Sequence, residues 1–146
     1  MSQSPPALAV LGQTLYRLQP EGAGSRLLLF GIRQIGSSGL YDAATAHAFV
    51  TAFGKGFRRP LLMLRTLMAE MSGAASGPIQ IAPWCCARVT PNEGALLDLI
   101  ALSTTDPCRA RILLADLLGA RHVDGMLATS AGLAQAFSDL GLPLDG

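Results

Sequence analysis

Apolar residues recur at intervals of three and four along most of this chain, the spacing of one face of a helix. Residues 1–24 are the exception. Ser2, Ser4, Pro5 and Pro6 open that stretch, and Pro20, Glu21, Gly22, Ala23 and Gly24 close it. We expect an irregular N-terminal arm there, with Leu8, Val10, Leu11, Leu15 and Leu18 available to pack on the body. Ser25 is placed to cap a first helix over Arg26–Ile35, closed by Gly36-Ser37-Ser38-Gly39. A second helix fits Leu40–Phe53, where Ala43, Ala46, Val50 and Phe53 share a face, and Gly54-Lys55-Gly56 stops it. The third begins near Arg58 or Arg59, with Pro60 tolerated in its first turn, and carries the stripe Leu61, Leu64, Met68 and Met71 as far as Ser72-Gly73.

Prolines then interrupt the helical rhythm. Pro78, Pro83 and Pro91 bracket Ile79–Val89, and alternation of Ile79 and Ile81 with Gln80 and Ala82 suggests a short strand with no evident pairing partner. Thr90-Pro91-Asn92-Glu93 is the clearest local signal. A Thr cap with Glu three residues on is a capping box, and Pro in the first turn reinforces it. That fourth helix runs through Leu96, Leu97, Ile100 and Leu102. Asp106-Pro107 starts a fifth over Cys108–Leu118, ended by Gly119, and a last helix spans Met126–Leu140 before Gly141 and Pro143. The expected architecture is all-α: a bundle of five to six helices in one domain over residues 25–142, with a short tail at 143–146 and no internal repeat.

Composition supports helix over sheet. Leu (25) and Ala (22) far outnumber Val (4) and Ile (6), and β-branched residues are the ones strands prefer. Charged residues are 14% of the 146, against an ordinary share of about 25%. The mean hydropathy of +0.39 is high for a monomer of this size, so we expect surface to be buried against a second copy or another protein. No apolar run approaches the roughly 20 residues a membrane span needs. The absence of Lys and Arg before Tyr16, together with Pro5-Pro6, argues against a secretory signal. Three cysteines, two adjacent, suit a reducing compartment. The expected setting is cytoplasmic. A net charge of +1 argues against a nucleic-acid binder held by bulk charge.

Three places offer chemistry. In Gly54-Lys55-Gly56-Phe57-Arg58-Arg59-Pro60 a helix start meets three cations, so Lys55, Arg58 and Arg59 form a candidate contact for an anionic small molecule or an acidic partner. The plainer reading is a solvated loop whose arginines pair with Asp42, Glu70 or another acid. The loop lacks the pattern of a phosphate-binding Walker loop. Arg65, seven residues after Arg58, falls on the same helix face. With Arg109 and Arg111 these cations form the only basis for nucleic-acid binding, and no recognition helix or set of stacking aromatics accompanies them.

The second place is Pro83-Trp84-Cys85-Cys86-Ala87-Arg88. Adjacent cysteines are poor joint ligands for one structural zinc. Cys85 and Cys86, with Cys108, His47 or His122 to complete a site, still mark a candidate thiol or metal sensor; the alternative is that both pack as small apolar residues beside Trp84. Trp84, the sole Trp, is also a candidate interface anchor. The third place is the pair His47 and His122, which have no partner at nucleophile or ligand spacing. We find no catalytic constellation, and no cofactor is expected.

The stretches Leu27-Leu28-Leu29-Phe30-Gly31, Ala52-Phe53-Gly54 with Arg58-Arg59-Pro60-Leu61, Leu67-Met68-Ala69-Glu70 and Ile81-Ala82-Pro83-Trp84-Cys85-Cys86 together resemble a small family of uncharacterised helical proteins from alphaproteobacteria. The resemblance covers most of residues 25–142. It implies a bacterial cytoplasmic setting and assigns no activity, cofactor or functional residue. From the low charge and the Leu and Met stripes, the expected function is a non-enzymatic interaction or regulatory protein, acting as a homodimer. A small-molecule or anion sensor at Lys55, Arg58 and Arg59, and a thiol or metal sensor at Cys85, Cys86 and Cys108, stand as alternatives.

Overall fold

A computed structural model of the protein describes residues 17–144. Six α-helices carry the described chain: α1 (Ala23–Ser38), α2 (Ala43–Phe53), α3 (Arg58–Ala74), α4 (Pro91–Leu102), α5 (Pro107–Leu118) and α6 (Asp124–Asp139). A 3-10 turn, Gly54–Gly56, links α2 to α3. The all-α expectation holds, and the helical spacing of apolar residues is its cause. Leu61, Leu64, Met68 and Met71 all face the core from α3, and Ser130, Leu133, Ala134 and Phe137 face it from α6. These two helices lie along each other, α4 packs along α5, and α1 rests against α2, α3 and α4.

Packing at the α2–α6 contact is aromatic. Phe49, Phe53 and Phe137 meet edge to face, with centroid separations of 5.7, 5.8 and 5.1 Å, the arrangement that ring quadrupoles favour. Gly31 lets α1 approach at this level. A Cβ on it would come within 2.7 Å of the Leu64 side chain and 3.3 Å of Phe49, so the close crossing depends on its having none.

Several boundaries differ from the sequence reading. The first helix is capped at Gly22, whose extended backbone carries no side-chain cap; Ser25 is a buried residue inside the first turn. The second begins at Ala43, because the Asp42 carboxylate accepts from Thr45 N at 2.8 Å and stops the helix there. The sixth starts two residues earlier than expected, at Asp124. Leu140, expected on its buried stripe, lies beyond its end and is 36% exposed.

The strand expectation is corrected more deeply. Ile79 and Ile81 form no strand. The extended pairing is a two-residue antiparallel ladder between β1 (Arg17–Leu18) and β2 (Arg88–Val89), with Arg17 opposite Val89. The partner strand thus comes from within the expected irregular arm. Leu18 is 63% exposed and does not pack on the body. The expected packing of Leu8, Val10, Leu11 and Leu15 lies outside the described residues, as do the last two residues of the tail.

Both proline-led helix starts hold. Thr90 Oγ1 accepts from Glu93 N at 3.0 Å, and the Glu93 carboxylate accepts from Thr90 N at 2.9 Å. Asp106 accepts from Arg109 N, and Gly119 closes α5 in the left-handed conformation at φ 63°, where a side chain would be strained. Thr90 Oγ1 also donates to Gln80 O at 2.7 Å, so the cap joins the crossing segment to α4. We expect Thr90→Ala to lower stability by about 1–2 kcal/mol, read from the urea unfolding midpoint, while Thr90→Ser stays near the parent. An unchanged midpoint for Thr90→Ala would show that the box contributes nothing to the folded state.

Candidate functional site

Arg33 sits one turn after Leu29 on the buried face of α1, and its side chain is 1% exposed. A guanidinium cannot shed its charge on burial, so it needs an anion and hydrogen-bond acceptors for its N–H groups. Glu93, fully buried at the start of α4, provides the anion. Arg33 Nε donates to Glu93 Oε2 at 2.8 Å and Nη2 to Oε1 at 3.0 Å, a bidentate pair. The same carboxylate accepts from Ala82 N at 3.0 Å and from Thr90 N. The residue that caps α4 locally is therefore also the counter-ion of a helix 60 positions earlier.

The rest of the guanidinium holds backbone. Nη1 donates to Cys86 O at 2.7 Å and Nη2 to Arg88 O at 2.7 Å. Gln19, just after β1, adds Nε2 to Cys86 O at 2.6 Å and its own N–H to Ala87 O at 3.2 Å. The crossing segment between α3 and α4 is thus tied on its inner side at Ala82, Cys86, Ala87, Arg88 and Thr90. Between these ties, Cys86 N donates to Pro83 O at 3.0 Å and closes a tight turn over Trp84 and Cys85.

What the turn displays is the candidate site. Trp84 is 64% exposed, and Cys85 is exposed beside it, with Cys86 half-buried. The expectation that both thiols pack as small apolar residues beside Trp84 is therefore not met. Next to the indole lies a cleft of about 170 Å³ lined by Gln19, Arg26, Leu29, Phe30, Arg33 and Trp84. Apolar Leu29 and Phe30 share its lining with the cations Arg26 and Arg33, so the cleft is mixed in character.

The cationic positions do not converge. Lys55 is exposed on the 3-10 turn. Arg58 lies over the Phe57 ring at 5.7 Å. Arg59 bonds Asp139 at the end of α6, at 2.9 Å, so the acid it finds is neither Asp42 nor Glu70. Arg65 donates to Leu40 O at 2.9 Å and covers the Tyr41 ring at 5.0 Å. Gln135 and then Arg59 hold the Asp139 carboxyl below its ordinary value by hydrogen bonding. A lowered carboxyl adds stability above its unfolded pKa and loses it as pH falls through the folded one, and the solvent around this exposed pair keeps the contribution small. Cys108 is exposed in the first turn of α5. Among the described residues no group of three His, Cys, Asp or Glu side chains is placed to hold a metal ion.

A second recess lies between the end of α1 and α3. Clefts of about 270 and 420 Å³ share Gly36, Met68 and Ser72. Their walls carry no charged side chain, so they offer shape without a polar reading head.

Sequence reasoning found Trp84 and the capping box but missed Arg33 and Gln19. The available signal was Arg33 itself, a charge at a core position of an apolar helix, four residues from Leu29.

Fold and site together describe a helical protein whose buried ion pair hydrogen-bonds a surface turn from its inner side. The chain belongs to DUF6628, a family of unknown function, whose match covers residues 13–138. Neither a curated protein nor a solved structure matches it. No described helix is long and apolar enough to cross a membrane.

We expect Arg33→Leu to cost about 3–5 kcal/mol in denaturant unfolding at neutral pH, because it leaves the Glu93 carboxylate buried without its counter-ion. Arg33→Lys, which cannot donate in a fork, should also destabilise and should open the 82–88 segment to limited proteolysis. Parent-like stability of both variants would show that the pair anchors nothing.

Proposed function

We propose that this protein is a non-enzymatic interaction protein of the bacterial cytoplasm that works as a homodimer, with Trp84 at the centre of the contact. The observation that carries the reading is Trp84, a residue 64% exposed, on a turn whose inner edge is tied by Arg33 and Gln19. A large aromatic on a fixed backbone loses little freedom on binding, and that preorganisation makes Trp a frequent hot spot.

The neighbouring cleft supports the choice of a second copy. A twofold contact is self-complementary, so a knob and a recess side by side on one surface can serve each other reciprocally. Trp84 of one protomer entering the partner's cleft would set its ring against half-buried Phe30 and exposed Arg26. Charge scarcity points the same way. Helix α2 carries no Asp, Glu, Lys or Arg along its length and leaves Val50 43% exposed, a surface poorly suited to permanent solvation.

Light scattering at micromolar concentration should give about twice the 15.2 kDa chain mass. Trp84→Ala should weaken association by roughly 30-fold, the effect of a hot spot of about 2 kcal/mol. The single Trp also allows a spectroscopic check, since its emission should shift to the blue as concentration rises. A species of single-chain mass across the whole range would dismiss the dimer. A dimer indifferent to Trp84→Ala would place the contact elsewhere.

A further inference from the structure

The peptide bond between Cys85 and Cys86 supplies the N–H that closes the Trp84 turn, through Cys86 N to Pro83 O at 3.0 Å. The two thiols on either side of that bond are solvent-accessible to different degrees, Cys85 exposed and Cys86 half-buried. From this juxtaposition we infer that Cys85 and Cys86 form a peroxide-responsive dithiol, and that its oxidation to a disulfide between adjacent residues unlocks the turn.

The chemistry balances with a hydroperoxide as oxidant. The Cys85 thiolate attacks the terminal oxygen of hydrogen peroxide, the O–O bond breaks, and the leaving hydroxide takes a proton as water; Cys85 becomes a sulfenic acid. Cys86, the nearest thiol by sequence, then attacks the Cys85 sulfur. The S–S bond forms, the S–O bond breaks, and the departing oxygen leaves as a second water. Two thiols are oxidised by two electrons and one peroxide is reduced. Exposure makes Cys85 the first to react, and adjacency makes Cys86 the resolving thiol.

The structural consequence follows from ring size. The disulfide would close an eight-membered ring containing the Cys85–Cys86 amide. A trans peptide sets its two α-carbons about 3.8 Å apart, below the 4.4–6.8 Å or so that disulfides ordinarily span. Closure therefore twists that amide and turns its N–H away from Pro83 O. On the other side, Cys86 O is held by Gln19 and Arg33 at 2.6 and 2.7 Å. The movement is thereby directed into Trp84 and Cys85, while the anchored half stays in place. A strained, exposed disulfide is also readily reduced, which suits a reversible device.

This inference needs no partner and stands whether or not the protein dimerises, so the test uses dilute protein. After one equivalent of hydrogen peroxide, peptide mass mapping should find the 85–86 peptide lighter by two hydrogens, restored by dithiothreitol. Exchange of the Cys86 amide should quicken about tenfold or more as its hydrogen bond is lost, with the helical circular dichroism unchanged. Cys108→Ser should behave like the parent, whereas Cys85→Ser and Cys86→Ser should each abolish both changes. Sulfinic acid at Cys85 without a disulfide, intermolecular disulfides through Cys108, or an 85–86 disulfide that leaves Cys86 exchange untouched would each overturn it.

Discussion

A guanidinium and a carboxylate removed from water at the junction of α1 and α4 are the constraint on which the candidate site rests. Burying such a pair costs several kcal/mol per ion before attraction recovers it, and a well-packed apolar pair would often serve stability as well. The reason for an ionic solution here lies in the segment between α3 and α4. It forms only two residues of ladder, so its other inward backbone groups need partners. Arg33 supplies donors to two of its carbonyls and Glu93 supplies acceptors to two of its N–H groups. One side-chain pair thus does for an irregular strip what a neighbouring strand does in a sheet. Lysine, a point charge without a fork, cannot reproduce that geometry.

Elsewhere the fold is held by ordinary packing. The edge-to-face contacts of Phe49, Phe53 and Phe137, the α3 stripe and the close approach at Gly31 involve no charge. Loss of a methyl group in such a region leaves a cavity and a graded cost. Loss of either ion strands the other together with several backbone groups. The two halves of the structure therefore answer substitution differently, and the turn belongs to the half where one change is felt at many atoms.

What could be read in the chain divides by range. The capping box at Thr90 and Glu93, the Asp106-Pro107 start and the stripe from Leu61 to Met71 are local, and each follows from neighbours within a turn or two. The cap of α1 was not legible because Gly22 acts through its extended backbone and not through a side-chain signature. The partners of the cation cluster were not legible for a related reason, although the plainer reading of arginines pairing with an acid fits Arg59. Arg58, Arg59 and Arg65 are close in sequence, but Arg59 finds Asp139 eighty residues on and Arg65 turns back onto Tyr41. Glu93 shows both sides at once: its capping role is written in four consecutive residues, and its pairing with Arg33 depends on how two helices cross. The same applies to β2, whose partner lies beyond any periodicity at Arg17–Leu18.

The length of the crossing agrees with placing the candidate site on its outer edge. Helix–helix connections in compact domains commonly take about 2–8 residues, and much longer ones are usually functional segments or linkers. The connection from Ala75 to Thr90 exceeds that common length, with β2 as the regular element described within it. A shorter link would avoid both the buried ions and the exposed indole. Instead the chain runs outward to Trp84 and Cys85 and is tied back at Cys86, so that the cost of order falls inside and the displayed groups remain outside. A loop that only connected would be expected to hide its one tryptophan and to leave its backbone loose; this one does the reverse.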